Sequence, residues 1–441
     1  MLDPTVAVIL SILVVLFLMG IGLPIYASLG ITGFLGCLAI KGPHLAFTQL
    51  KAFPYVNTAN YLLAVVPLFI IMGHFGFKAG ISRDLYTIGR RWFSRFPGGL
   101  GWATFVASAG FGACCGSSVA SAATMGTIAI PEMRALGYDR KLACGLVAAA
   151  GTLAIMIPPS VILVFYASIT DTSAGAQLIA GIFPGLLSTG VYLVGLWFLT
   201  KINPTLVPAP ETYSWRERFV SLKGIWGMAT LFFLVIGGMF IGWFTPTEAA
   251  SAGAFAGFLM ILFGGRVEKS KLGETIKLCF LDTLRTTCMV FLILIGAGLY
   301  AFFLTLAQVP QAASTWVGSL PVPPWVIILL FLIIYVPMGM FMDSFSMLII
   351  TLPIMFPIVT QQLKFDPIWF GILCTKMCEI GLMTPPVGLN VYVLSGVVRD
   401  VPMHDIFRGC SWFLVFEAVS TAILFAVPII STWLPGTMYG R

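Results

Sequence analysis

Residues 148–170 read AAAGTLAIMIPPSVILVFYASIT, an apolar run broken at its centre by Pro158 and Pro159. Proline has no N–H and clashes with the carbonyl four residues earlier. A helix through this run therefore strips the Ala154 and Ile155 carbonyls of their partners. Bare carbonyls in a membrane interior are costly unless something meets them. Further along, residues 375–397 read TKMCEIGLMTPPVGLNVYVLSGV, where Pro385 and Pro386 do the same to Gly381 and Leu382. A bound Na⁺ accepts carbonyl and hydroxyl oxygens and needs no carboxylate. The alternative is a plain proline kink healed by a neighbouring hydroxyl.

Composition sets the surroundings of these breaks. Of 441 residues, 59% are hydrophobic and 9% are charged, whereas soluble proteins carry roughly 25% charged residues. Mean hydropathy is +1.00. These values exclude a soluble enzyme, a secreted disulfide scaffold, a disordered chain and a nucleic-acid binder. They leave an all-α polytopic membrane protein in the lipid bilayer, since about 20 apolar residues cross roughly 30 Å of hydrocarbon. The length suffices for about ten transmembrane helices. The nine Cys lie almost entirely in apolar runs, without a CxxC pair, and read as small hydrophobes. The N-terminal MLDPTVAV lacks a positive n-region and reads as the start of a membrane helix, not a removed signal.

Basic residues set the threading. Loop 78–97 holds Lys78, Arg83, Arg90, Arg91 and Arg95, and loop 132–141 holds Arg134, Arg140 and Lys141. Both read as cytoplasmic, yet only segment 98–131 separates them. That segment is therefore a re-entrant hairpin or, alternatively, two short crossings. Continuing through basic loops 201–223 and 265–285, the long segment 323–358 starts and ends outside. Segment 368–397 then returns the chain to Arg399 and Arg408. On this threading 19 of the 24 basic residues are cytoplasmic, four are external and Lys376 alone lies within a span.

Five crossings separate the two hairpins, so they enter from opposite faces, the mark of an inverted repeat. Sliding the chain by 227 positions pairs Gly112 with Gly339, Ser117 with Ser344, Thr124 with Thr351 and Asp139 with Asp366. It also pairs Met156, Pro158 and Pro159 with Met383, Pro385 and Pro386. The first hairpin apex, Gly112-Ala-Cys-Cys-Gly-Ser-Ser118, combines turn-permitting glycines with hydroxyls that can coordinate a cation or hydrogen-bond an anion. A small-residue helix interface is the plainer reading. The second apex carries Asp343, Ser344 and Ser346. An ionised Asp in a span needs a partner, so Asp343 is a cation ligand or a hydrogen-bonded structural acid. Lys376 and Glu379, three apart on one helix, can form an ion pair. Glu248 reads as a helix N-terminal acid, and Glu417 has no evident role. Helix N-termini exposed at the breaks favour an anionic substrate group.

The runs GSSVASAATMGTIAIPEM (116–133), 148–170 and AGIFPGLL (180–187) resemble the first half of the large membrane subunit of tripartite ATP-independent periplasmic (TRAP) transporters. TPTEAA (245–250), MGMFMDSFSMLIITLPIMFPI (338–358) and CEIGLMTPPVGLNVYVLSG (378–396) resemble its second half. The resemblance spans nearly the whole chain. It implies a multi-pass protein of the bacterial inner membrane that imports small organic anions, carboxylates or sulfonates, with Na⁺ and without ATP. It further implies an extracytoplasmic solute-binding protein and a small four-helix membrane subunit, here a separate chain, as partners.

An elevator with scaffold and transport domains is implied as well: scaffold 1–60 and 224–264, a first repeat 61–200, a cytoplasmic linker 201–223 and a second repeat 265–441. Carried over by motif, Ser117, Ser118, Pro159, Ser160, Ser344, Thr384, Pro386 and Asn390 meet the substrate. Na⁺ is assigned to Gly116, Ser117, Ala154, Ile155 and Pro158, and to Asp343, Ser346, Gly381, Leu382 and Thr384. Lys376 departs from the uncharged polar residue expected there. A stand-alone Na⁺- or H⁺-coupled carrier needing no binding protein is the alternative. A membrane enzyme is disfavoured because His44, His74 and His404 belong to no catalytic motif.

Overall fold

The structure, a computed structural model, describes residues 3–438. Met1, Leu2 and 439–441, which the expected end segments include, lie outside the described residues. The chain is all helical, with no strand among the described residues. Among the described residues, seven helices are long and apolar enough to cross a membrane, and an eighth span arises if Arg140–Met156 and Val161–Thr170, bent by 45°, count as one. Pro4–Gly20, Ile25–Lys41, Gly99–Cys115 and Pro324–Gly339 are shorter apolar helices.

Two expected loops are largely helical. Residues 81–93 form the helix Ile81–Phe93, which buries Ile81, Leu85 and Tyr86 and leaves Arg83 and Arg91 on its outer side. Its apolar face pays the ordering cost that a bare loop would not recover. Residues 272–285, expected as a basic loop, begin the 35-residue helix Leu272–Leu306. Cys279 and Thr283 are buried on the same face as Val290 and Ile293, so one stripe runs past the basic residues. Lys277 and Arg285 are exposed on the opposite side.

The two halves match at a single register. Helices Arg140–Met156 and Pro367–Met383 have the same length and start and end 227 positions apart. Asp139 caps the first by accepting from the Lys141 and Leu142 amides, and Asp366 caps the second through Ile368 and Trp369. Both end at a Met followed by a cis Pro–Pro pair. A Cβ on Gly112 would lie 2.5 Å from Ala154 Cα, and one on Gly339 would lie 2.5 Å from Gly381 Cα. Each hairpin's first arm thus lies backbone-to-backbone on the broken helix of its own half, at the same 227-residue offset.

The second arms cross over. Ser118–Ala135, the return arm of the first hairpin, packs on Leu389–Val397, the half-helix beyond the second break. Ser344–Pro357, the return arm of the second hairpin, packs on Val161–Thr170, with the Phe165 and Phe345 rings 4.8 Å apart. Each hairpin is clasped between its own broken helix and the distal half-helix of the other repeat.

Candidate functional site: hairpin tips against broken helices

At the first tip, helix Gly99–Cys115 ends at Gly116, in the left-handed region at φ 61°. A Cβ there would lie 2.8 Å from the Pro159 carbonyl oxygen. Glycine is required twice over, once for the turn and once for the approach. Ser117 caps the return arm by accepting from the Ala120 amide at 3.4 Å. Ser118 Oγ is buried and takes a 2.6 Å hydrogen bond from Asn390 Nδ2, which also donates to the Ala148 carbonyl. Gly116 therefore meets Pro159 and Ser118 meets Asn390, residues drawn from both halves of the sequence.

The breaks are half healed. Ser160 Oγ donates to the Ile155 carbonyl at 2.5 Å and caps Val161–Thr170 through the Leu163 amide. The Ile155 oxygen is thus already engaged. At the second break, the Thr384 amide donates to Gly381 at 3.1 Å, and its hydroxyl donates to Ile380 at 2.7 Å. Pro158 and Pro386 leave the Ala154 and Leu382 carbonyls without a donor among the described residues. Of the two carbonyls that the prolines free at each break, one is engaged and one is bare. Gly388, at φ 49°, closes the second break, and a Cβ there would come within 3.2 Å of the Leu382 and Thr384 oxygens.

The breaks also differ in exposure. Ile157, Pro158, Pro159 and Ser160 are all buried, whereas Pro385, Pro386 and Val387 are exposed and Thr384 is half-buried. Asp343, half-buried, caps its own helix: Oδ2 accepts from the Phe345 and Ser346 amides at 2.9 and 3.3 Å, and Oδ1 accepts from Ser346 Oγ at 2.6 Å. Ser344 and Ser346 are both buried. The carboxylate sits on the positive end of Ser344–Pro357. Its hydrogen bonds stay within its own turn and reach neither Thr384 nor Pro386.

Behind the breaks, Lys376 pairs with Glu379 at 2.8 Å and also with Glu417 at 2.5 Å. Glu417, without a role in the sequence reading, is a partner of Lys376. Its signal was present all along, an acid inside an apolar run that has to be compensated. At the base of the first hairpin, Arg134 makes a two-point contact with Asp400, at 3.1 and 2.6 Å. That hydrogen bonding holds the Asp400 carboxyl below its ordinary range. Beside this pair a crevice of about 710 Å³ runs between the return arm and the tail of the second broken helix, past Gly126, Thr127 and Val397.

Two unequally sealed breaks, each facing a helical hairpin, lie within an all-helical, multi-pass membrane protein. Residues 12–430 match the family described as tripartite ATP-independent periplasmic transporter, DctM component, and the chain belongs to that family. It is 36% identical to a C4-dicarboxylate TRAP transporter large permease protein of Pseudomonas aeruginosa, over 92% of this chain and 93% of the relative. It is 32% identical to a sialic acid TRAP transporter large permease protein of Vibrio cholerae, over 86% and 88% of the two chains. In fold it is similar to the YdaH transporter of Alcanivorax borkumensis, with a TM-score of 0.61 at 17% identity over 98% of this chain and 100% of that one.

Proposed function

We propose that this chain is the translocating subunit of a Na⁺-coupled importer of small organic anions, carboxylates or sulfonates, in the bacterial inner membrane. An extracytoplasmic solute-binding protein delivers the anion, and a small four-helix subunit completes the membrane complex. The observation that carries the reading is that each break leaves a proline-freed carbonyl, Ala154 and Leu382, without a donor among the described residues, in a half that also carries a hydroxyl-bearing hairpin tip. Carbonyl and hydroxyl oxygens suit a hard monovalent cation. The relatives' dicarboxylate and sialic acid substrates support a carboxylate-bearing cargo.

In this reading Na⁺ is held by Gly116, Ser117, Ala154, Ile155 and Pro158 at the first junction. At the second it is held by Asp343, Ser346, Gly381, Leu382 and Thr384. Ile155 and Gly381 keep a second lone pair free beside their hydrogen bonds. The ions draw each tip onto its break and screen local charge. Ser117, Ser118, Pro159, Ser160, Ser344, Thr384, Pro386 and Asn390 then meet the anion, helped by the positive ends of Ser118–Ala135 and Leu389–Val397. Positions 98–200 and 323–408 carry the load as the moving domain of an elevator against scaffold helices in 1–60 and 224–264, with 201–223 as the cytoplasmic linker. Uptake of a C4-dicarboxylate and a sulfonate into proteoliposomes, with Na⁺ or choline and with or without the binding protein, tests this. Uptake that ignores Na⁺ and follows pH defeats the coupling; uptake indifferent to the binding protein favours a stand-alone carrier.

A further inference from the structure

The Lys376, Glu379 and Glu417 side chains have no exposed surface. Lys376 Nζ stands 2.8 Å from Glu379 Oε2 and 2.5 Å from Glu417 Oε2. Ser420 donates to Glu417 Oε2 at 2.9 Å, and Thr152 Oγ1, which donates to the Ala149 carbonyl at 2.7 Å, lies 3.4 Å from Glu417 Oε1. Thr152 in turn lies 3.3 Å from the Tyr192 hydroxyl, and the Glu379 Oε1 atom has no hydrogen-bond partner. Four helices meet here: Arg140–Met156, Ile182–Ile202, Pro367–Met383 and Met403–Ala426.

Thr152 and Glu379 are themselves related by the 227-residue register, and both face Glu417. Each stands two positions before a carbonyl at its break, Thr152 before Ala154 and Glu379 before Gly381, about 3 Å along the helix. The cluster therefore lies behind both breaks at once, where the two repeats meet. Two carboxyls with two hydroxyls make a set of hard oxygen donors of the kind that hold small monovalent cations. A lone buried carboxylate is severely penalised. With Lys376 charged, a single proton shared by the two carboxyls makes the cluster neutral.

We propose that Lys376 is a tethered cation: its ammonium fills a seat for a small monovalent cation, built by Glu379, Glu417, Thr152 and Ser420, that takes no mobile ion while Lys376 is present. This seat is separate from the two proposed Na⁺ junctions and does not rest on them. The titratable groups beside it are Tyr192, from Ile182–Ile202, and Cys378, from the cluster's own helix; Arg140–Met156 presents the Thr152 hydroxyl.

The test is thermal melting of the purified full chain in Na⁺ against choline buffer, each at mildly acidic and mildly alkaline pH. Lys376→Met empties the seat, so its melting temperature acquires a dependence on Na⁺ or on protons larger than the wild type's. The neutral variant Lys376→Met/Glu379→Gln/Glu417→Gln does not acquire it. An unchanged cation and pH response in Lys376→Met overturns the proposal, as does an enlarged response that persists in the neutral variant. Glu417→Gln gives an independent check because Lys376 and Glu379 remain a neutral pair. The slope of its Na⁺ dependence stays that of the wild type, and loss of one ion from that slope would mean that a mobile Na⁺, not Lys376, had filled the seat.

Discussion

Asn390 Nδ2 donates to Ser118 Oγ at 2.6 Å, so the half-helix beyond the second break grips the tip of the first hairpin. The two residues are 272 apart in sequence and both buried.

Replacing Asn390 with Asp removes the donor and sets a carboxylate against the Ser118 hydroxyl and the Ala148 carbonyl. We expect a loss of about 1–3 kcal/mol and a sharp fall in uptake. Ser118→Ala is milder, since Asn390 keeps its bond to Ala148. Unfolding and proteoliposome uptake of the two variants measure the difference; equal effects would refute the directionality.

Gly112→Ala and Gly339→Ala each place a methyl 2.5 Å from a facing Cα atom. Backbone does not yield as a side-chain end does, so each variant is expected to lose at least about 1–3 kcal/mol. Gly190→Ala, with nothing within 4 Å, serves as the neutral control. Yield and melting temperature in detergent report the outcome.

Ser160→Ala deletes both the cap of Val161–Thr170 and the donor to Ile155. Loss of a cap costs about 0.5–2 kcal/mol. On the proposed mechanism, freeing the Ile155 oxygen also changes the Na⁺ concentration for half-maximal uptake. A Na⁺ titration unchanged from wild type would separate the cap from the ion site.

Asp400 provides a pH prediction. Its carboxyl is held low by the hydrogen bonds from Arg134. A depressed carboxyl contributes stability that is present above the unfolded value of about 3.9 and lost as pH falls through the folded one. The melting difference between wild type and Asp400→Asn is therefore expected to stay constant from neutral pH to about pH 5 and to close only in stronger acid. High salt shrinks it at every pH, because the pair is exposed.

Reading residues in order captured more of the fold than of the site. Hydropathy marked nearly every apolar helix, and the 227-residue register located helices whose observed ends agree with it to the residue. The helical state of 81–93 and 272–285 was missed because basic residues there outweighed a buried face recognisable only once its neighbour is known. At the site, the prolines announced both breaks. The healing of Ile155 by Ser160, the inward turn of Asp343 onto its own helix and the partnership of Glu417 with Lys376 were not announced. Each depends on the direction of one side chain or on a contact between distant helices.

Crossing a bilayer requires long apolar runs, and proline removes a hydrogen bond wherever it stands. Both are covalent, local facts, so the membrane helices, their repeat and the two interruptions follow directly from the order of residues. Which hairpin leans on which half-helix, which break is sealed and which acid compensates Lys376 are matters of distance between segments hundreds of residues apart. Only close packing brings Asn390 to Ser118 and Glu417 to Lys376, because hydrogen bonds and ion pairs act over a few ångströms of space and are blind to separation along the chain.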